Sequence, residues 1–170
     1  MIGIIGQGFV GNAVYQKFSS FYEVFTYDLD KDKCNSSLSD VIFKCETIFV
    51  CVPTPMKKDG SCDTSIIESI LGEVDLLADN IEAKRTIIIK STIPPGTTAR
   101  FNNRYESLSI VFNPEFLTER NAVADFENQD RIIIGGPRPT TTEVKTIFSK
   151  VFPKAHIIKT DSTHAEMVKY

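Results

Sequence analysis

Short apolar runs alternate along the whole chain with longer segments in which apolar residues recur every three or four positions. The short runs are typical of buried strands, and the longer segments are typical of amphipathic helices. Seven strands are predicted, at residues 2–5, 23–28, 47–52, 86–90, 108–112, 131–135 and 156–159. Six helices are predicted, near residues 9–19, 37–45, 64–79, 97–104, 117–125 and 140–151. This alternation predicts an α/β fold with a doubly wound, mainly parallel sheet and helices on both faces.

The connection between the second and third predicted strands is short. Residues 34–46 leave room for one helix and for no further strand. We therefore expect a sheet that is shortened after the second strand, which becomes an edge. The expected strand order is 2-1 followed by the later strands, all parallel through residues 108–112. The crossover through residues 37–45 is expected to be right-handed.

The length of 170 residues suits one domain with a substantial core. We assign residues 1–160 to that domain. Residues 161–170 open with residues that cap helices and continue in a helical pattern that has no C-terminal cap. We therefore expect this helix to be cut short and the chain to be a piece of something longer.

Charge and composition argue against several kinds of partner. The formal net charge is −3 and no basic stripe is present, so no nucleic-acid partner is expected. No apolar run approaches the roughly 18 residues of a membrane span, so no membrane partner is expected. The four cysteines have neither metal-ligand nor disulfide spacing, so we expect no metal and a cytoplasmic location. Cys51 falls inside a predicted strand and is expected to be a small core residue.

A glycine-rich turn, GQGFVG at residues 6–11, follows the first predicted strand. Gly6 allows a tight strand-to-helix turn, Gly8 lets the backbone approach a pyrophosphate, and Gly11 lets the helix close onto the sheet. The start of the helix supplies unpaired N–H groups to an anion. Asp28 ends the second strand, where a carboxylate can accept both ribose hydroxyls of an adenosine. Together these features predict a Rossmann-like fold that binds a dinucleotide.

Three further segments follow predicted strands, where ligands of open α/β sheets bind. They are VPTP at 52–55, KSTIPPGTT at 90–98 and NPEFLTE at 113–119. In the last segment Glu115 and Glu119 are four residues apart, so both carboxylates would project from one face if residues 116–125 are helical. A solvated helix face is the alternative interpretation of this pair. Lys169, taken alone, has the pattern of a surface lysine.

The chain resembles the NAD-binding domain of the UDP-glucose/GDP-mannose dehydrogenases in the segments GQGFVG, CVPTP, KKDGSCD, KSTIPPGTT and NPEFLTERNAVADFENQDRIIIGG. Such enzymes oxidise the C6 alcohol of a nucleotide sugar to a carboxylate, with two NAD and a catalytic cysteine that forms a thioester. The resemblance implies NAD as cofactor, a nucleotide sugar as substrate (UDP-glucose first) and a role in polysaccharide biosynthesis. It also implies a homodimer for a full-length parent.

The resemblance assigns roles to individual residues. It implies that the cofactor is held by Gly6, Gln7, Gly8, Phe9, Val10, Gly11, Asp28, Lys33, Val52, Pro53, Thr54, Ser91, Thr92 and Glu119. It implies catalytic roles for Thr92, Glu115, Glu119 and Lys169. In this scheme Thr92 positions a water or the alcohol, Glu115 is the acid/base, Glu119 lies near the nicotinamide ribose, and Lys169 stabilises an oxyanion.

The chain departs from the family pattern in four ways. The cysteines lack the glycine-rich context of the family's catalytic cysteine. The family's long interdomain helix, which residues 161–170 would begin, stops at Tyr170, before an expected asparagine. Residues 34–46 are fewer than in the family, and Arg120 replaces a usual glycine. We therefore expect the catalytic-cysteine domain to be missing and residues 1–170 alone to be inactive. A stand-alone, non-catalytic dinucleotide-binding module is the alternative. A 3-hydroxyacid-type dehydrogenase is a third interpretation, which NPEFLTE argues against.

NAD is predicted to bind more tightly than NADP. Asp28 would face the 2′-phosphate of NADP, and Asp30 and Asp32 add negative charge that Lys31 and Lys33 only partly offset. Calorimetric titration with both cofactors tests this preference. Asp28→Ala should reduce the difference in binding free energy between NAD and NADP by about 1–2 kcal/mol, because one charge-assisted hydrogen bond is lost. Equal or tighter NADP binding by the unmodified chain would contradict the prediction.

Overall fold

A computed structural model describes residues 1–169, and Tyr170 lies outside the described residues. Its single sheet has seven strands in the order β2-β1-β3-β4-β5-β6-β7. The strands are β1 (Ile2–Ile5), β2 (Val24–Tyr27), β3 (Thr47–Val50), β4 (Arg85–Ile89), β5 (Leu108–Phe112), β6 (Arg131–Gly135) and β7 (His156–Thr160). The helices are α1 (Phe9–Phe18), α2 (Leu38–Lys44), α3 (Ser65–Asp79), α4 (Thr97–Arg104), α5 (Ala122–Glu127), α6 (Thr140–Val151) and α7 (Ser162–Lys169). Two short 3-10 turns occupy Lys31–Lys33 and Glu119–Asn121.

Both faces of the sheet are covered by helices because the central strands are apolar on both sides. All four residues of β1 and of β3 are buried. On one face, side chains of α2, α3 and α4 pack against alternate strand residues such as Ile48 and Ile87. On the other face α1, α5 and α6 surround Phe18, whose ring meets that of Phe49 edge-on at 4.9 Å. The predicted doubly wound α/β fold is confirmed.

Strand direction decides where a ligand site can form. Strands β1 to β5 are mutually parallel, as predicted, so their carboxyl ends share one edge of the sheet. Strand β6 runs antiparallel to β5 and overlaps it by the single pair Phe112 and Gly135, and β7 is parallel to β6. The edge formed by β1 to β5 is therefore the one where the predicted site segments converge. The right-handed crossover stays a prediction.

The outer edge of β2 is closed by a side chain instead of a strand. No strand forms within residues 34–46, as predicted, and β2 is an edge strand. The Asn35 side chain accepts the Thr26 N–H at 2.7 Å and donates to the Val24 carbonyl at 2.9 Å. These are the bonds that a neighbouring strand would make, so one asparagine satisfies backbone groups that would otherwise invite edge-to-edge pairing.

Two local expectations were wrong. The predicted helix over 117–125 begins with the 3-10 turn, and α5 starts only at Ala122. The Glu115 carboxylate accepts the Leu117 N–H at 2.7 Å, a local bond that competes with helix formation. Strand β3 ends at Val50, so Cys51 does not lie inside a strand: it follows the strand end and packs, partly buried, against the core around Phe18 and Phe49.

The tail continues the fold beyond β7. Helix α7 starts two residues after β7 and packs against the sheet through the fully buried Ala165. The predicted helical pattern over 161–170 is therefore present as far as it is described, and Tyr170 lies outside that part. The domain boundary at residue 160 stays a prediction. Among residues 1–169, no helix has the length and apolar character needed to cross a membrane.

Asn35→Ala is predicted to lower the free energy of unfolding by about 1–2 kcal/mol, because two bonds to the β2 backbone are lost. Urea denaturation followed by circular dichroism measures the change. Asn103→Ala, on the exposed side of α4, is the matched control and should stay within about 0.5 kcal/mol. Equal effects of the two substitutions would show that Asn35 does not close the edge.

Candidate functional site

The glycine turn joins β1 to α1 through a very close backbone contact. Gly6 has φ +93°, in the left-handed region that favours glycine. A Cβ built on Gly11 would lie 1.8 Å from the Gly6 carbonyl oxygen, so only glycine lets α1 approach the strand this closely. The turn therefore directs the unpaired N–H groups of the first turn of α1 towards the carboxyl edge of the sheet.

Gly8 differs from these two glycines because the fold does not require it. Its backbone is extended, at φ −73° and ψ −159°, a conformation open to any residue. A Cβ built on it would meet no atom within 4 Å. The space above Gly8 is thus free for a group that approaches the start of the helix.

Asp28 links the turn to the end of β2. Its carboxylate accepts the Gln7 N–H at 2.6 Å and the Asp30 N–H at 2.9 Å. Partial burial raises the pKa of Asp28, but these N–H groups and the nearby charge of Lys33 outweigh it, so the pKa lies below its ordinary value. The carboxylate stays ionised at neutral pH and keeps lone pairs for hydroxyl donors.

A cleft of about 700 Å³ runs along this edge between the turn, β2 and α3. It brings together predicted cofactor residues from separate segments, namely Gly6, Gly8, Asp28, Lys33, Val52 and Pro53. Leu29, 90% exposed, and Ile66 and Ile70 of α3 give the same cleft an apolar wall. Cys51, which sequence reasoning placed in the core, also lines it.

Two of the predicted cofactor hydroxyls hold loops together. Ser91 Oγ donates to the Val52 carbonyl at 2.6 Å, and Thr54 Oγ1 donates to the Thr92 carbonyl at 2.6 Å. These bonds fix the loops after β3 and β4 side by side. Thr92 is therefore held through its backbone, next to the cleft wall.

The other residues of the glycine turn, and Lys33 beside the cleft, have less fixed surroundings. Phe9 is exposed, Val10 is half-buried, and the Gln7 side-chain nitrogen is buried without a hydrogen-bond partner among the described residues. Lys33 forms a half-exposed ion pair with Asp30 at 3.3 Å. The Lys33 charge thus lies at the rim of the cleft.

Glu115 and Lys169 meet at the end of β5, although 54 residues separate them in sequence. Lys169 Nζ donates to the Glu115 carboxylate at 2.7 Å and to the Glu115 carbonyl at 2.6 Å. Only 12% of the Glu115 side chain and 19% of the Lys169 side chain are exposed. Two predicted catalytic residues therefore form one mostly buried, charge-assisted pair.

Glu119 lies apart from this pair. The expectation that Glu115 and Glu119 share a helix face was wrong, because Glu119 sits on the 3-10 turn and is exposed. With Arg120 it borders a second cleft, of about 400 Å³, whose opposite wall is Phe9 and Asn12 of α1. The structure therefore places Glu119 and Arg120 near the start of α1.

Sequence reasoning missed three buried polar residues at this edge. Lys90 Nζ donates to Asn113 Oδ1 at 2.9 Å, and burial lowers the pKa of Lys90 to about 8. Glu166, fully buried, accepts the Gly96 N–H, the Thr98 N–H and the Thr98 hydroxyl, at 2.6–2.7 Å. Lys90 is the first residue of the KST segment, and Asn113 is the first of the NPE segment. Glu166 lies one helical turn before Lys169. These positions beside predicted site residues were the sequence signal that could have identified them.

The geometry fits a dinucleotide. The open space at Gly8 and the free N–H groups of α1 suit a pyrophosphate, and the ionised Asp28 beside an apolar wall suits an adenosine. Fold and site together define a Rossmann-like dinucleotide-binding domain.

Comparison with known proteins specifies the family. The profile described as the UDP-glucose/GDP-mannose dehydrogenase family, NAD binding domain, matches residues 33–155. The chain belongs to this family and is an NAD-binding domain of it.

Relatives of known sequence agree with this assignment. The chain is 32% identical to a UDP-glucose 6-dehydrogenase of Rickettsia bellii over 157 residues, which are 86% of this chain and 35% of the relative. It is 32% identical to the UDP-glucose 6-dehydrogenase of Campylobacter jejuni over 148 residues, 85% of this chain and 37% of the relative. The chain therefore spans about a third of the length of these relatives.

Solved structures show the same fold. A UDP-glucose dehydrogenase from Pyrobaculum islandicum aligns with a TM-score of 0.86 at 24% identity, over 99% of this chain and 48% of that one. A GDP-mannose dehydrogenase from Pseudomonas aeruginosa aligns with a TM-score of 0.84 at 22% identity, over the same shares.

The Glu115–Lys169 pair is predicted to stabilise the fold. Lys169→Met leaves a mostly buried carboxylate without its cation and should cost about 2–4 kcal/mol. Because Glu115→Gln removes the charge that Lys169 neutralises, the double variant should be more stable than the sum of the single losses predicts. Urea denaturation of the four chains gives the coupling, with Lys154→Met as an exposed control. Strict additivity would contradict the pairing.

Proposed function

We propose that this chain is the cofactor-binding part of a nucleotide-sugar 6-dehydrogenase, which oxidises the C6 alcohol of its substrate to a carboxylate. UDP-glucose is the first substrate to test, because the curated relatives described above are UDP-glucose 6-dehydrogenases. Such a reaction belongs to polysaccharide biosynthesis. The observation that carries the cofactor role is Gly8, a glycine that folding does not need and that leaves open space at the start of α1.

In this proposal, cofactor binding and proton transfer are carried out by residues at two different places along the carboxyl edge of the sheet. The turn from Gly6 to Gly11 holds the pyrophosphate of NAD, and Asp28 holds the adenosine ribose. When bound, NAD supplies the acceptor for hydride. Glu115 accepts or returns the alcohol proton, and the Lys169 ammonium, 2.7 Å from that carboxylate, offsets negative charge on the substrate oxygen. Thr92 and Glu119 complete the proposed set, next to the alcohol and the nicotinamide ribose.

The covalent step needs a thiolate that this chain does not offer. Burial raises the pKa of the Cys51 thiol to about 12 and that of Cys45 to about 11, so both are neutral at pH 7. The Cys34 and Cys62 thiols contact backbone carbonyls. We therefore propose that residues 1–170 alone do not oxidise a nucleotide sugar. The proposal includes a homodimer for the parent enzyme and a reducing, cytoplasmic location, which suits four free thiols.

Gly8→Ala tests the cofactor site without disturbing the fold. The new methyl group faces open space in the free protein, so stability should change by less than about 0.5 kcal/mol. The same methyl would occupy the approach to the helix start, so NAD affinity should fall at least about tenfold, or about 1.4 kcal/mol. Isothermal titration and thermal unfolding measure the two quantities.

Gly72→Ala is the matched control. Gly72 lies in α3, and a Cβ built there also meets no atom within 4 Å. This substitution should stabilise the helix by about 0.5–1 kcal/mol and leave NAD affinity unchanged. NAD binding that survives Gly8→Ala intact would refute the proposed pyrophosphate position.

A further inference from the structure

Lys90 is a buried cation that the proposed chemistry does not use. It directly follows β4 and is 2% exposed. None of the ion pairs between residues 1–169 includes it. Its Nζ donates to Asn113 Oδ1 and lies 5.4 Å from the centre of the Phe126 ring. Burial of a charge without a carboxylate partner is costly, so the position calls for a specific explanation.

The partner of Lys90 is held from three directions. Besides accepting from Lys90, Asn113 donates its side-chain nitrogen to the Ile133 carbonyl at 2.6 Å and its backbone N–H to the Ile89 carbonyl at 2.9 Å. The first of these bonds continues the contact between β5 and β6, which otherwise share one residue pair. Asn113 thus ties the ends of β4 and β5 to the middle of β6, and the Lys90 side chain holds the Asn113 side-chain oxygen.

Glu115 emerges from this junction. Only Pro114 lies between Asn113 and Glu115, and its ring restricts the backbone of Asn113 and of Pro114 itself. The Lys169 end of the pair is fixed independently, because Glu166 anchors α7 to the start of α4. The meeting of Glu115 with Lys169 therefore depends on where the junction directs the chain after β5.

We propose that Lys90 is a positioning residue: its ammonium holds Asn113, and through Asn113 it holds Glu115 against Lys169. The charged or titratable groups that face Lys90 are the Cys51 thiol after β3, Glu115 after β5 and Lys169 on α7. Of these, Cys51 stays neutral because burial raises its pKa. The importance for catalysis rests on the proposed function, but the coupling is a property of the chain itself.

The Leu117 amide reports on Glu115 directly, because its N–H donates to the second carboxylate oxygen of Glu115 at 2.7 Å. In the unmodified chain, the Leu117 amide shift is expected to follow the titration of Lys90, with a midpoint near pH 8. In Lys90→Met the Leu117 shift should be flat over that range, and its hydrogen exchange should be about tenfold faster. Two-dimensional NMR of the labelled chain measures both, without cofactor or substrate.

Lys84→Met, at an exposed lysine before β4, is the matched control and should keep the unmodified profile. Lys90→Arg should restore slow exchange at Leu117 but abolish the titration, because arginine stays charged. A folded Lys90→Arg chain whose Leu117 amide exchanges as fast as in Lys90→Met overturns the proposal, because the retained donor and charge should hold Asn113. An unchanged Leu117 amide in folded Lys90→Met overturns it as well. Since NAD is not involved, failure here is distinct from failure of the Gly8 experiment.

Discussion

The contact between Gly11 and the Gly6 carbonyl is the constraint on which the cofactor end of the molecule depends. A Cβ at Gly11 would lie 1.8 Å from that oxygen, so α1 can lie against β1 only because the side chain is absent. This approach fixes the direction of α1 and leaves its first N–H groups facing the carboxyl edge of the sheet. The Gln7 N–H, presented by the same turn, binds Asp28 and aligns the end of β2 with the helix start.

The other end of the site is assembled by contacts that are distant in sequence. Lys169 reaches Glu115 across 54 residues, and Glu166 reaches Thr98 across 68. Both come from α7, so a single helix supplies the cation of the proposed active pair and the carboxylate that seats the helix on α4. The cofactor end is built around the glycine turn and Asp28, with the loops after β3 and β4 beside them, whereas the proposed catalytic end forms only when the tail has docked.

This difference explains how far sequence reasoning could go. The strands follow from apolar runs and the glycine turn from its spacing, because both are local patterns with one physical interpretation. The reversal of β6 could not be predicted, since its isoleucines suit either direction. The helix predicted over 117–125 begins late, at Ala122, because the Glu115 carboxylate accepts the Leu117 N–H in a local bond that competes with helix formation. Lys90 followed a strand as many surface lysines do, and only the fold shows that Phe126 and Asn113 enclose it.

The short connection after β2 does not disturb the contact between Asp28 and the glycine turn, and the reason is again local. An edge strand leaves the residue after it without a neighbouring strand to fix its backbone, yet Asp28 must keep its carboxylate on the glycine turn. The Cys34 thiol accepts the Asp28 N–H and donates to the Asp28 carbonyl, both at 3.0 Å. The Asn35 side chain likewise accepts the Thr26 N–H and donates to the Val24 carbonyl of β2. Two adjacent side chains thus hold β2 and Asp28 in place of a strand, so the sheet can be shortened at this edge while Asp28, the proposed ribose-binding acid, keeps its contact with the glycine turn.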